Sequence, residues 1–194
     1  MNDFCSCIID QIMESLKNID KSYYSLKQLD GTKVNKKIFE RNFCYEFYHQ
    51  MRVNKSFDSI LKYSQLVISP EIIKKNQGEK DIEHNRIPDF VIHEPGENNN
   101  AIIIEVKTDL NIRGIIKDFT TLCLFVDKRN YQCGLFILAG YSTKELKDKI
   151  KNSKSQEKQK FLKKFTKYDD VYILCSKNPG VVEKTVVLEE LLKG

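Results

Sequence analysis

Residues 86–108 read RIPDFVIHEPGENNNAIIIEVKT, and this stretch decides the fold. Residues 101–106 are apolar except for one glutamate, a composition typical of a strand that is buried on both faces of a sheet. Residues 88–93 form a second short apolar segment, and the residues between the two segments are rich in Gly, Pro, Asn and Glu, as loops are. The stretch therefore predicts two neighbouring strands that are joined by a loop.

Three charged side chains stand in these two strands. Glu105 and Lys107 should project from the same face, because residues at i and i+2 of a strand do so, and Asp89 lies opposite that face if the strands pair as a hairpin. Burying a carboxylate or an ammonium group is unfavourable unless the group is paired or binds a ligand. Mg²⁺ takes oxygen ligands, usually one or two carboxylates together with waters and phosphate oxygens. We therefore expect the three side chains to converge on a divalent cation and a phosphate.

The remaining segments predict an α/β domain. Upstream, apolar residues recur at helical spacing over 3–29 and 35–53, and a strand-like run follows at 66–68. Downstream, helical and strand-like segments alternate. We expect helices over 112–130 and 143–167, strands over 134–140 and 171–175, and an edge strand over 185–188 before a short terminal helix. This order predicts a three-layer fold with a central mixed sheet flanked by helices.

Length and composition indicate one globular domain. The chain has 194 residues, of which 41% are hydrophobic and 30% charged, so it can bury a core without disulfides or structural zinc. Its cysteines include no C-x-x-C pair, which favours reduced, structural thiols over a zinc clamp. No apolar run is long enough to cross a bilayer, and the N-terminus lacks the basic-then-apolar pattern of a signal peptide. We expect a cytoplasmic protein with no membrane partner.

Positive charge is concentrated near the C-terminus. The net charge is +5, but residues 144–167 carry ten Lys against three acidic residues, a local balance of +7, so the rest of the chain sums to −2. Such a block can bind the phosphate backbone of nucleic acid. A solvated helix has the same composition, and both interpretations remain open from the sequence.

The spacing of the charged residues resembles the signature of the PD-(D/E)XK nuclease superfamily. Pro88-Asp89 is followed, after fifteen residues, by Glu105-Val106-Lys107, and the apolar run before the glutamate matches the strand on which family members carry the E-x-K. The predicted order of elements over 35–140 is similar to the αβββαβ core of the family's restriction-endonuclease-like fold. Residues 1–30 would then be an N-terminal helical extension, and 143–194 a basic helix with C-terminal strands.

The resemblance implies a role for each residue of the motif. Asp89 and Glu105 would be ligands of Mg²⁺ or Mn²⁺, and the backbone carbonyl of Val106 a further ligand. Lys107 would be the catalytic lysine.

Further site residues are implied on the two helices that flank the predicted strands. Many family members carry a glutamate on the helix before the sheet, and Glu46 is the matching position, as a metal ligand or base. Glu40 is the alternative on the same helix. His49 and Gln50 lie within one turn of Glu46 and would face the substrate. Lys117, on the helix after the E-x-K strand, would contact a phosphate.

The function implied by the resemblance is metal-dependent hydrolysis of phosphodiester bonds in DNA, in restriction, phage defence, mobile-element or repair systems. A homodimer would account for double-strand cleavage, and a partner subunit would supply targeting to so small a chain. One alternative is a non-catalytic nucleic-acid-binding or assembly subunit that keeps the nuclease-like fold. Another is an unrelated α/β protein in which Asp89, Glu105 and Lys107 form a buried structural network.

Overall fold

A six-stranded mixed sheet forms the centre of the protein. The computed structural model describes residues 3–24, 38–70, 86–153, 165 and 167–193, and within them the strands follow in space the order they have in the chain. The strands are β1 (Val67–Pro70), β2 (Phe90–His93), β3 (Asn100–Lys107), β4 (Tyr131–Ala139), β5 (Val171–Ser176) and β6 (Val186–Val187). β1, β2 and β3 pair antiparallel, β3, β4 and β5 pair parallel, and β6 joins β5 antiparallel. The predicted mixed α/β architecture is confirmed.

Helices lie on both faces of this sheet. They are α1 (Asp3–Lys17), a 3₁₀ turn (Lys21–Tyr24), α2 (Glu40–Val53), α3 (Lys55–Tyr63), α4 (Ile112–Arg129), α5 (Thr143–Lys151) and α6 (Leu188–Lys193). The 3₁₀ turn and α1 to α3 pack on one face through a core that includes Phe43 and Phe57. α4, α5 and α6 pack on the other face through a core that includes Phe119 and Leu146. None of the described helices combines the length and the apolar character needed to span a bilayer.

Strand β3 contributes to both cores. Ile104 packs on the side of α1 to α3, whereas Ile103 packs on the side of α4. Because successive side chains of a strand alternate between its faces, Glu105 and Lys107 project toward α4. β2 pairs antiparallel with β3, as the hairpin prediction requires, and the same alternation on β2 places Asp89 on the α4 side.

The first predicted helix is shorter than expected. Apolar spacing predicts it over 3–29, but α1 ends at Lys17 and a 3₁₀ turn follows. The reason lies in the side chain of Asp20, which accepts a hydrogen bond from the backbone N–H of Ser22 at 2.8 Å. Such local side-chain bonds compete with helical hydrogen bonds. Residues 25–29 lie outside the described residues.

A helix that the sequence analysis does not assign, α3, follows α2 directly. Asn54 has an extended backbone, with φ −71° and ψ 101°, which ends α2. Its side chain accepts hydrogen bonds from the backbone N–H groups of Ser56 and Phe57, both at 3.1 Å, and so caps the new helix. The cap explains why helical structure continues to Tyr63.

The helix predicted over 143–167 is wrong in its length, because α5 ends at Lys151 with Asn152 as its C-cap. Residues 154–164 and 166 lie outside the described residues, and with them half of the basic block. Its two interpretations therefore stay predictions.

Candidate active site

A cleft of about 360 Å³ lies where β2, β3 and α4 meet. It is lined by Glu40, Arg86, Ile87, Asp89, Glu105, Val106, Lys107, Lys117, Asp118 and Thr121. Four of these residues are acidic and three are basic. Ionisable side chains are thus concentrated at one place on an otherwise apolar sheet.

Asp89 and Glu105 form a pair of carboxyl groups in this cleft. An oxygen of Asp89 accepts a hydrogen bond from the backbone N–H of Val106 at 2.7 Å, and the Asp89 and Glu105 side chains also hydrogen-bond to each other. Only 7% of Glu105 is exposed, and burial, together with the charges of Asp89 and Asp118, raises its pKa well above the usual range. Burial also raises the pKa of Asp89. Two neighbouring buried carboxyl groups cannot both be ionised without a large cost, so they need a proton or a cation between them.

Lys107 lies between two further carboxylates. Its Nζ is 3.2 Å from Oε2 of Glu40 on α2 and 3.9 Å from Oδ2 of Asp118 on α4. Burial lowers the pKa of Lys107, but the charges of these two carboxylates more than offset burial, so the pKa is raised. A Cβ atom at Gly114 would lie 3.1 Å from Cε of Lys107, so the absence of a side chain there gives the lysine its path along α4. The ammonium group is therefore charged at neutral pH and held in place.

Asp118 is a buried carboxylate with an unused oxygen. Its side chain is 9% exposed, and Oδ2 accepts no hydrogen bond from any described residue. Burial raises the pKa of Asp118 to about 7, although the nearby charge of Lys107 opposes the shift. A buried oxygen without a hydrogen-bond donor costs free energy, so this position suits a water or another donor.

Arg86 connects the start of the β2 segment to α4. Its Nη1 donates hydrogen bonds to the backbone carbonyl of Lys117 at 2.9 Å and to Oγ1 of Thr121 at 3.1 Å. Its Nε has no acceptor within the described part of the chain. Arg86 thus brings a second fixed cation to the wall of the cleft.

The structure brings together most of the residues of the sequence motif. Asp89, Glu105, Val106 and Lys107 line the same cleft, and Lys117 lies at its α4 wall. The three charged side chains therefore converge, as the i and i+2 spacing and the hairpin predict.

Glu46, His49 and Gln50 do not line this cleft. The side chain of Glu46 instead accepts a hydrogen bond from Gln50 at 2.7 Å and interacts with Tyr23, and His49 is exposed. The carboxylate that α2 contributes to the cleft is that of Glu40. The two glutamates are six residues apart, which is roughly 240° around a helix, so only one of them can face the cleft.

Asp118 and Arg86 are the charged residues of the cleft that the sequence analysis does not identify. A signal for Asp118 exists, because it stands three residues after Ile115 and four before Leu122, on the apolar face of α4 where a carboxylate is unexpected. No such signal exists for Arg86, since its position depends on contacts with residues more than thirty positions further along the chain.

The donor set of the cleft suits one hard divalent cation. Among the residues that the structure describes, no three His, Cys, Asp or Glu side chains are arranged as a complete metal cage. Mg²⁺ does not require such a cage, because it usually takes one or two protein carboxylates and keeps several waters. Asp89 and Glu105 could supply that pair, and Oδ2 of Asp118, which accepts no hydrogen bond from a described residue, could accept one from a water in the cleft.

No family model, no curated protein and no solved structure matches this chain. Its function must therefore be inferred from the cleft itself.

Proposed function

We propose that this chain is a metal-dependent phosphodiester hydrolase, a nuclease that acts on DNA with Mg²⁺ or Mn²⁺. One observation carries the proposal: Asp89, Glu105 and Lys107 come from two adjacent strands and line one cleft, where the two carboxyl groups hydrogen-bond to each other. Charged side chains on apolar strands need a partner or a ligand. A divalent cation with a phosphate matches two carboxylates and an ammonium group.

Five side chains of the cleft would hold the cation or stabilise the transition state. Asp89 and Glu105 would hold the cation in place of the proton that they otherwise share. When bound, Mg²⁺ or Mn²⁺ polarises the scissile phosphate and makes a bound water a stronger nucleophile. Lys107 would neutralise the negative charge that gathers on the phosphate in the transition state. Glu40 and Asp118 would keep the ammonium group of Lys107 at that position, since both carboxylates lie within 4 Å of it.

The order of the elements supports a restriction-endonuclease-like fold. α2, β1, β2, β3, α4 and β4 follow the αβββαβ order expected over 35–140, with α3 inserted between α2 and β1. Asp89 stands directly before β2, and the E-x-K lies at the end of β3, which are the places that the resemblance assigns to them. The backbone carbonyl of Val106 would then be a further metal ligand, and Lys117 a contact for a substrate phosphate.

Cleavage of supercoiled plasmid and of circular single-stranded DNA in Mg²⁺, Mn²⁺ or EDTA tests the proposal. We expect metal-dependent cutting that Lys107→Ala reduces by at least about 100-fold, because charge stabilisation in a transition state has this order of magnitude. Lys128→Ala is the matched control, since Lys128 is an exposed lysine of α4 outside the cleft. Full activity of Lys107→Ala would refute the assigned mechanism.

Metal binding gives an independent measurement. Isothermal titration calorimetry with Mn²⁺ should show uptake by the wild type and a large loss of affinity in Glu105→Gln, which keeps the size of the side chain but removes its charge. DNA binding that needs no metal and is unchanged in Glu105→Gln, without any cleavage, would instead indicate a non-catalytic nucleic-acid-binding subunit.

A further inference from the structure

A second and larger cleft, of about 680 Å³, lies at the carboxyl ends of the three parallel strands β3, β4 and β5. Each strand contributes the residues that follow it, among them Thr108, Tyr141 and Lys177, and the 3₁₀ turn contributes Lys21. We propose that this cleft binds one or two unpaired nucleotides next to the scissile phosphate. This inference rests on the proposed nuclease function and specifies its substrate as single-stranded nucleic acid.

The two clefts are neighbours because they share two segments of chain. Glu40 and Lys107 line the smaller cleft and are joined by a contact of 3.2 Å between Oε2 and Nζ. Ile38 and Thr108 line the larger one, and Oγ1 of Thr108 donates a hydrogen bond to the carbonyl of Ile38 at 3.3 Å. Residues 38–40 and 107–109 thus form a common wall. A strand whose phosphate lies at Lys107 needs to continue only one or two nucleotides to reach the larger cleft.

The chemistry of the larger cleft suits a nucleotide. Lys21 and Lys177 bring two ammonium groups against the single carboxylate of Asp109 among the lining residues, so the cleft favours an anion. The half-buried ring of Tyr141 offers a surface on which a base can stack, as aromatic side chains do in proteins that bind single strands. Phosphate and base recognition are therefore available in the same cleft.

Lys177 remains available for a phosphate although it has an acidic neighbour. Its Nζ lies 3.1 Å from Oε1 of Glu145, but the lysine side chain is 49% exposed, and exposed ion pairs contribute little. Glu145 uses its other oxygen, Oε2, to accept hydrogen bonds from the backbone and hydroxyl of Ser142. Replacing Lys177 should therefore leave the N-terminal cap of α5 intact.

The size of the cleft favours an unpaired strand over a duplex. A volume of about 680 Å³ lies in the range of pockets that take small molecules, roughly 300–1,000 Å³. A cube of that volume has an edge of roughly 9 Å, whereas a DNA duplex is wider, because its two backbones are separated by a major groove that is itself about 12 Å wide. One or two single-stranded nucleotides fit; a double helix does not.

Fluorescence anisotropy with a labelled 12-nucleotide oligothymidylate, in EDTA so that no metal-dependent cleavage occurs, tests the inference. We expect the double variant Lys21→Ala/Lys177→Ala to bind at least about tenfold more weakly, with a slope of log affinity against log salt that is smaller by about 1.4, because each single-strand phosphate contact contributes about 0.7. Tyr141→Leu should weaken binding about tenfold, whereas Tyr141→Phe, which keeps the ring, should not. An oligouridylate of the same length distinguishes RNA from DNA as the preferred strand.

The matched control is Lys55→Ala/Lys128→Ala, which removes the same charge from exposed positions of α3 and α4 outside both clefts and outside the basic block. It should bind like the wild type. Equal weakening in this control, unchanged binding in the Lys21/Lys177 variant, or equally tight binding of a hairpin duplex would overturn the inference. Because binding is measured without metal, these outcomes are independent of whether Lys107→Ala abolishes cleavage. Failure of the nuclease proposal is therefore distinguishable from failure of this one.

Discussion

Replacing Asp118 by asparagine should make the stability of the metal-free protein less dependent on pH. Burial raises the pKa of this carboxyl group from an ordinary value of 3.8 to about 7 in the folded protein. Between these two pH values the unfolded chain releases the proton while the folded protein keeps it. The stability of the wild type must therefore fall as the pH rises through this interval, and it stops falling above pH 7. Asparagine has a similar shape and does not titrate.

The magnitude follows from the width of the interval. From pH 5 to the folded-state pKa of about 7 is two pH units, which corresponds to about 2.7 kcal/mol of unfolding free energy. The variant should therefore gain about this much relative to the wild type when both are moved from pH 5 to pH 8. The gain should shrink in the presence of a divalent cation, because a nearby positive charge favours the ionised carboxylate.

Urea denaturation at pH 5 and pH 8 in EDTA measures this difference. Asp148→Asn, at an exposed position on α5, is the matched control and should show no pH-dependent gain. A difference below about 1 kcal/mol for Asp118→Asn between the two pH values would refute the reasoning, because it would mean that the carboxyl group is not held in an unfavourable buried environment.

Three further substitutions test the positions of side chains around the cleft. Gly114→Ala should slow cleavage about tenfold, because the new Cβ would lie 3.1 Å from Cε of Lys107 and displace the lysine. Thermal stability should not fall, since alanine favours a helix more than glycine does. An unchanged kcat would show that the lysine need not lie at this position. Gly140→Ala should lower the unfolding free energy by about 1–3 kcal/mol, since the residue has φ +84° and its Cβ would meet Cδ1 of Ile38 at 2.6 Å; urea denaturation measures this loss. Asn54→Ala should cost about 1–2 kcal/mol by the same assay, because it removes the cap of α3, and a loss of helical circular dichroism should accompany it.

The elements that the sequence predicts well are those with strong periodicity and little dependence on distant contacts. β3 is an example, since its apolar run predicts a buried strand and seven of its eight residues, Asn100 to Val106, are buried. The two charges on β3 could be assigned to one face from spacing alone, because the alternation of a strand is a local property. The pairing of β2 with β3 needed only the short loop between them.

The sequence could not predict features that depend on the rotation of a helix about its axis or on contacts between residues far apart in the chain. Glu40 and Glu46 both stand on α2, and the choice between them depends on how the helix is rotated against the sheet. That rotation is set by the packing of Phe43, Phe47 and Met51, which are buried. Their spacing predicts which face of α2 is buried, but not which glutamate then lies next to Asp89, Glu105 and Lys107. The start of α3 at Asn54 could not be predicted for a different reason. An asparagine can end one helix or cap the start of another, so the residue alone does not show that a second helix follows.

The balance of charge in the smaller cleft gives a physical order to the binding events. Without metal, Asp89 and Glu105 share one proton, so the four carboxyl groups of Glu40, Asp89, Glu105 and Asp118 carry three negative charges, which balance the three cations of Arg86, Lys107 and Lys117. A divalent ion that replaces this proton makes the net charge of the cleft +1, and the cleft then attracts a phosphate. Metal and substrate should therefore bind with positive cooperativity. The factor by which metal raises the affinity for substrate must equal the factor by which substrate raises the affinity for metal. The measurement is the affinity of the protein for Ca²⁺ with and without a substrate oligonucleotide. An affinity that does not change when the oligonucleotide is added would contradict this electrostatic coupling.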